Sequence, residues 1–340
     1  MKDSGIRKLF VMLSLTLLPG ILLWQGADCQ AGAKTRQVTV KYEGKVISTD
    51  RLYGLSADKY MLIPCKMLLK HPETGVSAKY NRKKKKLRLM RNNIELVMYE
   101  GRSKAVLNEE RIFSLGTKLR TVPMSGKKML MVPAKKVCRL LGLSYSYNAV
   151  TRTIRLKARK PVIEDRSSIQ SKVFMYMDTK EFVKLIGPIA QKDYHKNGVL
   201  ASVTIAQAIH ESWSGTSLLA QKGNNLFGMK TNLSGNSWKG STWGGKVYWK
   251  RTREEYGGRV VRITAPFRKY SSVNKSIGDH SAYLKNAMNG SRRRYAGLTR
   301  TKSYKKQIRI LQKGGYCTFH DYGKNLISVI KRYNLTRYDK

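Results

Sequence analysis

The sequence predicts an α+β chain: a small duplicated α+β module, then a mainly helical domain that carries a β-hairpin lobe. Three observations predict it. Tyr60-Met61-Leu62-Ile63-Pro64, Ala78-Lys79-Tyr80-Asn81 and Lys86-Leu87-Arg88-Leu89 return as Met129-Leu130-Met131-Val132-Pro133, Ser146-Tyr147-Asn148 and Thr153-Ile154-Arg155-Leu156. The run from Val199 to Glu211 is apolar nearly all round, as a helix buried in a core must be. Finally, Gly257-Gly258 separates two alternating runs between Val247 and Ile263, a direct hairpin signal.

The elements follow in chain order. Lys2, Arg7 and Lys8 precede an apolar run from Leu9 to Trp24, and Ala31-Gly32-Ala33 supplies small residues. That is the pattern of a secretory signal, residues 1–33, cleaved after Ala33. A retained membrane anchor is the alternative, since the run is only slightly short of a spanning helix. Cys29 follows Ala27-Asp28, which makes a poor lipid-attachment site. Export argues against an intracellular nucleic-acid role. The charge is extreme: 67 Lys+Arg stand against 21 Asp+Glu, a formal +46. Such a surface attracts polyanions in a salt-dependent way. Nucleic acid, anionic lipid and anionic wall polymers all fit the charge, which alone does not choose among them.

The module, residues 34–157, reads twice as a strand ending at Pro, a short helix, and a hairpin turned at Asn. The helix is clearest in the second copy, where Val137, Leu140 and Leu141 precede Gly142. Lys83-Lys84-Lys85-Lys86 is a solvated basic hairpin tip, with a phosphate contact as the alternative. Residues 158–172 are polar and read as a linker to the second domain, residues 173–340. After signal removal Cys65, Cys138 and Cys317 remain. A Cys65–Cys138 pair within the module plus one free thiol is one arrangement. The cysteine spacings and scattered histidines give no zinc site, and no metal or organic cofactor is expected.

Glu211 falls near the end of the apolar helix, with Gly215 as its stop. A carboxylate there faces the negative end of the helix dipole among apolar neighbours, and both effects raise its pKa. An acid kept protonated near neutrality is what a glycosidase needs to protonate a leaving oxygen. A Glu at a fraying helix end, or in a buried ion pair, would share the sequence.

Ala206-Gln207-Ala208-Ile209-His210-Glu211-Ser212 and Asn224-Asn225-Leu226-Phe227-Gly228-Met229-Lys230 resemble the signature of glycoside hydrolase family 73. Phe267-Arg268-Lys269-Tyr270-Ser271-Ser272, Asp279-His280, Gly314-Gly315-Tyr316-Cys317-Thr318 and Tyr322-Gly323-Lys324-Asn325-Leu326-Ile327 extend the resemblance over roughly residues 180–335. It implies a lysozyme-like fold and an endo-β-N-acetylglucosaminidase of bacterial cell walls, working on peptidoglycan glycan strands as a monomer. By resemblance Glu211 is the catalytic acid. Glu255, with Glu254 in reserve, is the second carboxylate, which activates water or stabilises charge. Tyr316 contacts the reacting sugar. Asn225, Phe227 and Gly228 shape the groove floor, and Trp243, Tyr256 and Tyr270 are substrate-binding candidates, with Trp238 and Trp249 also in the hairpin lobe. A muramidase or lytic transglycosylase on the same plan, and a non-catalytic wall-binding protein, are the alternatives. Two motifs depart from the family's common pattern: Glu211-Ser212-Trp213-Ser214-Gly215 replaces Glu-Ser-Gly-Trp-Gly, and Cys317-Thr318-Phe319-His320 replaces Ala-Thr-Asp-Pro. Residues 38–157 resemble the copper-amine-oxidase N-terminal-like stalk domain, which implies a spacer or wall-binding module; the resemblance does not imply copper, and with His71 as its one histidine the stretch is expected to hold no metal.

Overall fold

The computed structural model describes residues 36–57, 59–231, 233, 238–256, 259–317 and 319–340, and only the backbone of residues 253–256 and 259–260. The expected signal segment and Cys29 lie outside the described residues. From residue 36 on the chain forms one compact unit built round two large apolar cores. No helix among the described residues is long and apolar enough to cross a membrane.

The first core is the duplicated module. Strand Tyr60–Pro64 and helix Cys65–Leu69 correspond to strand Lys127–Pro133 and helix Ala134–Leu140. In each copy the proline sits at the helix N-cap with φ near −60°, where its missing N–H costs nothing. The two strands pair antiparallel with Ile63 opposite Val132, so equivalent residues face each other about a local twofold. Each copy then makes its hairpin, Ser77–Asn81 with Lys86–Arg91 and Leu143–Asn148 with Thr153–Ala158. Both turn on the same device: Asn81 Oδ1 accepts from Lys84 N–H and Asn148 Oδ1 from Thr151 N–H, each at 2.9 Å. The copies differ in where the hairpin goes. The second closes the edge of the eight-stranded sheet beside Arg36–Tyr42, which it meets in parallel. The first opens a five-stranded meander through Ile94–Tyr99, Lys104–Leu107 and Arg111–Ser114. The lysine run lies at the exposed tip.

No Cys65–Cys138 disulfide forms. Both are free, buried thiols that fill the module core as small apolar side chains, and burial pushes them up to about 11 and about 12. Cys317 is free and half-buried.

Residues assigned to a linker divide. Val162 is exposed, but Ile169 and Ser171 are buried in the second core, and Ile169 C=O accepts from Val273 N–H at 2.8 Å. The second lobe therefore begins near residue 167. Its first long helix, Thr179–Asn197, starts in a capping box between Asp178 and Glu181 and buries Phe182, Val183, Leu185, Ile186 and Ala190. That face covers the central helix Ala201–Ser212, whose residues 201–208 are all buried. Tyr304–Lys313 and Tyr322–Arg332 pack on the central helix as well, while Val273–Asn286 packs on the first long helix. The two strands of the predicted hairpin are present as Val247–Tyr256 paired with Arg259–Arg268, and the expected Gly257-Gly258 turn lies outside the described residues.

Candidate active site

The central helix ends earlier than its glycine. Trp213 closes it in the left-handed region at φ 53°, followed by Ser214 at 54° and Gly215 at 79°. Only the last position needs glycine: a Cβ on Gly215 would lie 2.1 Å from Phe174 Cδ2. Ser212 locks the turn by donating to Ala208 C=O and accepting from Gly215 N–H at 2.8 Å.

One turn before that stop, Glu211 is half-buried. Burial pushes its carboxyl from 4.5 up to about 7, against the lowering pull of a hydrogen bond from Tyr322. Tyr322 Oη donates to Glu211 Oε1 at 3.0 Å, and Gln207 Nε2, one turn back on the same helix, donates to Tyr322 Oη at 2.9 Å. With Oε1 accepting from Tyr322, Oε2 is the oxygen left free to offer the carboxyl proton. The result is an oriented acid, protonated near neutral pH.

Tyr316 joins this group. Its ring stacks on Tyr322 at 5.8 Å, and its hydroxyl lies 3.0 Å from His280 Nε2. His280 is fully buried, which pushes it down to about 3, so it is neutral; its ring stacks on Phe227 at 3.8 Å. A continuous row of rings, Phe227, His280, Tyr316 and Tyr322, thus leads to Glu211.

The other candidates divide into the loop beside this row and the braces behind it. Gly228 is exposed at φ 69°, with open space where a Cβ would project. Asn225 is buried and braces that loop: its side chain donates to Met229 and Arg268 carbonyls and accepts from Phe227 and Met229 N–H groups. Tyr270 is buried too, and its hydroxyl donates to Asp279 Oδ2 at 2.6 Å. Both therefore stand behind the surface. Trp243 and Trp238 lie against the Arg268 guanidinium at 4.3 and 3.9 Å, and Arg268 is ion-paired with Asp279 at 3.1 Å with both side chains fully buried. Trp249 is the most open of the hairpin-lobe tryptophans, at 64% exposure. Glu254 and Glu255 pair with Val261 and Val260 at the far end of the hairpin, Tyr256 with Arg259; their side chains are outside the described set.

Tyr322, Gln207 and His280 are participants that sequence reasoning left without a role. All three lie inside the quoted motifs, and the only signal for them was a Gln at four residues before Glu211, on the same helix face. Among the described residues no group of three His, Cys, Asp or Glu could hold a metal ion.

Residues 187–335 match the family described as Glucosaminidase, mannosyl-glycoprotein endo-beta-N-acetylglucosaminidase. These residues form a glucosaminidase domain. The chain is 35% identical over 159 residues to exo-glucosaminidase LytG of Bacillus subtilis, covering 47% of this chain and 53% of that protein. It is 39% identical over 193 residues to an N-acetylmuramoyl-L-alanine amidase domain-containing protein of Staphylococcus aureus, covering 56% of this chain and 29% of that protein. The chain thus spans about half or less of the length of these relatives. The crystal structure of the catalytic domain of the autolysin Auto from Listeria monocytogenes aligns at a TM-score of 0.41 and 32% identity, covering 47% of this chain and 87% of that one. The glucosaminidase domain contains every candidate site residue, and the duplicated module lies wholly outside the match.

Proposed function

We propose that this chain is a peptidoglycan hydrolase that cleaves the β-1,4 bond after N-acetylglucosamine, at the cell wall. The observation that carries the reading is Glu211: a carboxyl raised to about 7 with Oε1 held by Tyr322, at the end of a row of aromatic rings. Glu211 donates its proton to the glycosidic oxygen as that bond breaks. Glu255, on the hairpin, activates water or stabilises positive charge at the sugar. Tyr316 contacts the reacting ring. Phe227 and Gly228 shape the groove floor, braced from within by Asn225 and Tyr270, while Tyr256 and Trp243 contribute from the hairpin lobe. Relatives named as a glucosaminidase and as a peptidoglycan hydrolase support the substrate class. Others named probable N-acetylmuramidase keep cleavage of the alternate bond as the second reading.

The basic surface serves to hold anionic wall polymers. A cavity of about 600 Å³ supports this: Lys172, Lys222, Lys246, Lys269 and Lys275 converge on it from separate segments, and no carboxylate among the described residues lines it.

Purified peptidoglycan digested by residues 34–340, beside a Glu211→Gln control, tests the reading. Products are reduced with borohydride and identified by mass spectrometry. Reduced glucosamine ends, absent from the control, are expected. Muramitol ends would transfer the chain to the second reading, and no fragments from folded protein would sink hydrolysis altogether.

A further inference from the structure

The turn after Glu211 is energetically unusual. Trp213 and Ser214 are consecutive non-glycine residues in the left-handed region, a conformation costing roughly 1–2 kcal/mol per residue. Such strain persists only where surrounding contacts over-determine it. Part of what holds this turn comes from the other lobe.

Two hairpin turns of the five-stranded meander reach it. The first is Asn92-Asn93, between strands Lys86–Arg91 and Ile94–Tyr99; the second is Asn108-Glu109-Glu110, between Lys104–Leu107 and Arg111–Ser114. Thr179, at the start of the first long helix, donates its hydroxyl to Asn93 Oδ1 at 2.8 Å and meets Ser214 Oγ at 3.0 Å. Asn108 Nδ2 donates to Thr216 Oγ1 at 3.1 Å, and Thr216 Oγ1 also lies 3.3 Å from Asn93 C=O. Asn108, Ser214 and Thr216 are all buried, so water cannot replace these bonds. Beside them Glu110 spans two elements at once. Its Oε2 accepts from Leu218 N–H at 2.6 Å, and its Oε1 from Lys250 Nζ at 2.7 Å. Lys250 stands on the strand that runs on to Glu255.

We propose that the duplicated module is a positioning element of the catalytic site: its two hairpin turns hold the segment that follows Glu211 and the strand that leads to Glu255, and so set how that strand stands relative to Glu211. Asn93, Asn108 and Glu110 are the positioning residues. The departure of Trp213-Ser214 from the family's common Gly-Trp has a use here, because Ser214 supplies a hydroxyl to the junction where the family's tryptophan supplies none. The module does more than space the enzyme from a surface. This inference rests on the reading of Glu211 as the acid.

Two variants of the full chain test it. Glu110→Ala removes the bridge to Leu218 and Lys250. Asn108→Asp keeps the acceptor that binds Glu95 N–H at 2.7 Å within the module, tolerates the φ of 46°, and removes the donor to Thr216. Amide hydrogen exchange is read peptide by peptide, and kcat and KM are measured on a soluble peptidoglycan oligosaccharide. Exchange should quicken over residues 213–218 and along the Val247–Arg268 hairpin, with strands Tyr60–Pro64 and Lys127–Pro133 unchanged. The value of kcat should fall about ten-fold, inside the ~10²-fold that a 1 Å misplacement can cost, with KM changing less than about two-fold. Unchanged exchange at both segments, or an unchanged kcat, overturns the proposal. Exchange needs no substrate, so an inactive wild type would refute the hydrolase reading, and the exchange result would decide the coupling by itself.

Discussion

Replacing Glu211 by Gln should stabilise the protein, by an amount that depends on pH. The carboxyl titrates at about 7 in the folded chain against 4.5 when unperturbed. Below pH 4.5 both states hold the proton and the carboxyl carries no penalty. Between 4.5 and 7 the unfolded chain ionises while the folded one does not, so wild-type stability falls by about 1.4 kcal/mol per pH unit. Above 7 the whole loss, about 3 kcal/mol, is in place. That figure is a ceiling, since the side chain is half-buried, and about 2 kcal/mol is the working value after solvent screening. Gln keeps the shape and still accepts from Tyr322, yet never ionises. The variant should therefore match wild type near pH 4.5 and exceed it by about 2 kcal/mol at pH 8, or about 4–8 °C in Tm for a lobe of this size. Calorimetric melts of both proteins from pH 4.5 to 8 measure the gap. A gap that stays constant with pH, or a wild type more stable at pH 8, would refute the burial argument for Glu211.

Three further outcomes are expected. Wild-type kcat should decline as pH rises through about 7, where Glu211 loses its proton; Tyr322→Phe removes the bond that favours the carboxylate, so the declining limb should move to higher pH, and a downward move in the pH–rate profile would contradict the geometry. Arg268→Met leaves Asp279 charged and buried, which should cost about 3–5 kcal/mol in urea unfolding, whereas a loss under about 1 kcal/mol would mean that the pair is solvated. Binding to a phosphate-rich anionic polymer, followed by sedimentation, should weaken steeply with added salt; changing Lys172, Lys222 and Lys269 to Gln should flatten that dependence, and an unchanged salt slope would locate the polymer elsewhere.

Much of the architecture could be read from residue order. The repeat predicted matching strand–helix–hairpin units, and both appear, down to the Asn that turns each hairpin. Its twofold relation could not be read, because pairing Ile63 with Val132 is a contact between copies that neither copy encodes alone. A cysteine count permitted a disulfide, but two buried thiols in the same core are equally consistent with three cysteines. The end of the segment read as a linker is polar apart from Ile169, yet Ile169 and Ser171 are buried by helix Val273–Asn286 and the loop round Asn224, about fifty to a hundred residues away, which local composition does not show.

The site divides in the same way. By itself the sequence determined the buried helix, the Glu at its end and the presence of the hairpin, since periodicity, capping and turn chemistry are local properties of the chain. Only the tertiary structure decided which groups act on that Glu. Tyr322 arrives from 111 residues away to orient it, His280 and Phe227 align Tyr316 beside it, and the module's turns meet the segment that follows it. These are contacts between side chains far apart in the chain, each satisfied because burial leaves no water to take its place. No local pattern announces them: a tyrosine that donates to a carboxyl and one that merely fills a core have the same letter and the same spacing.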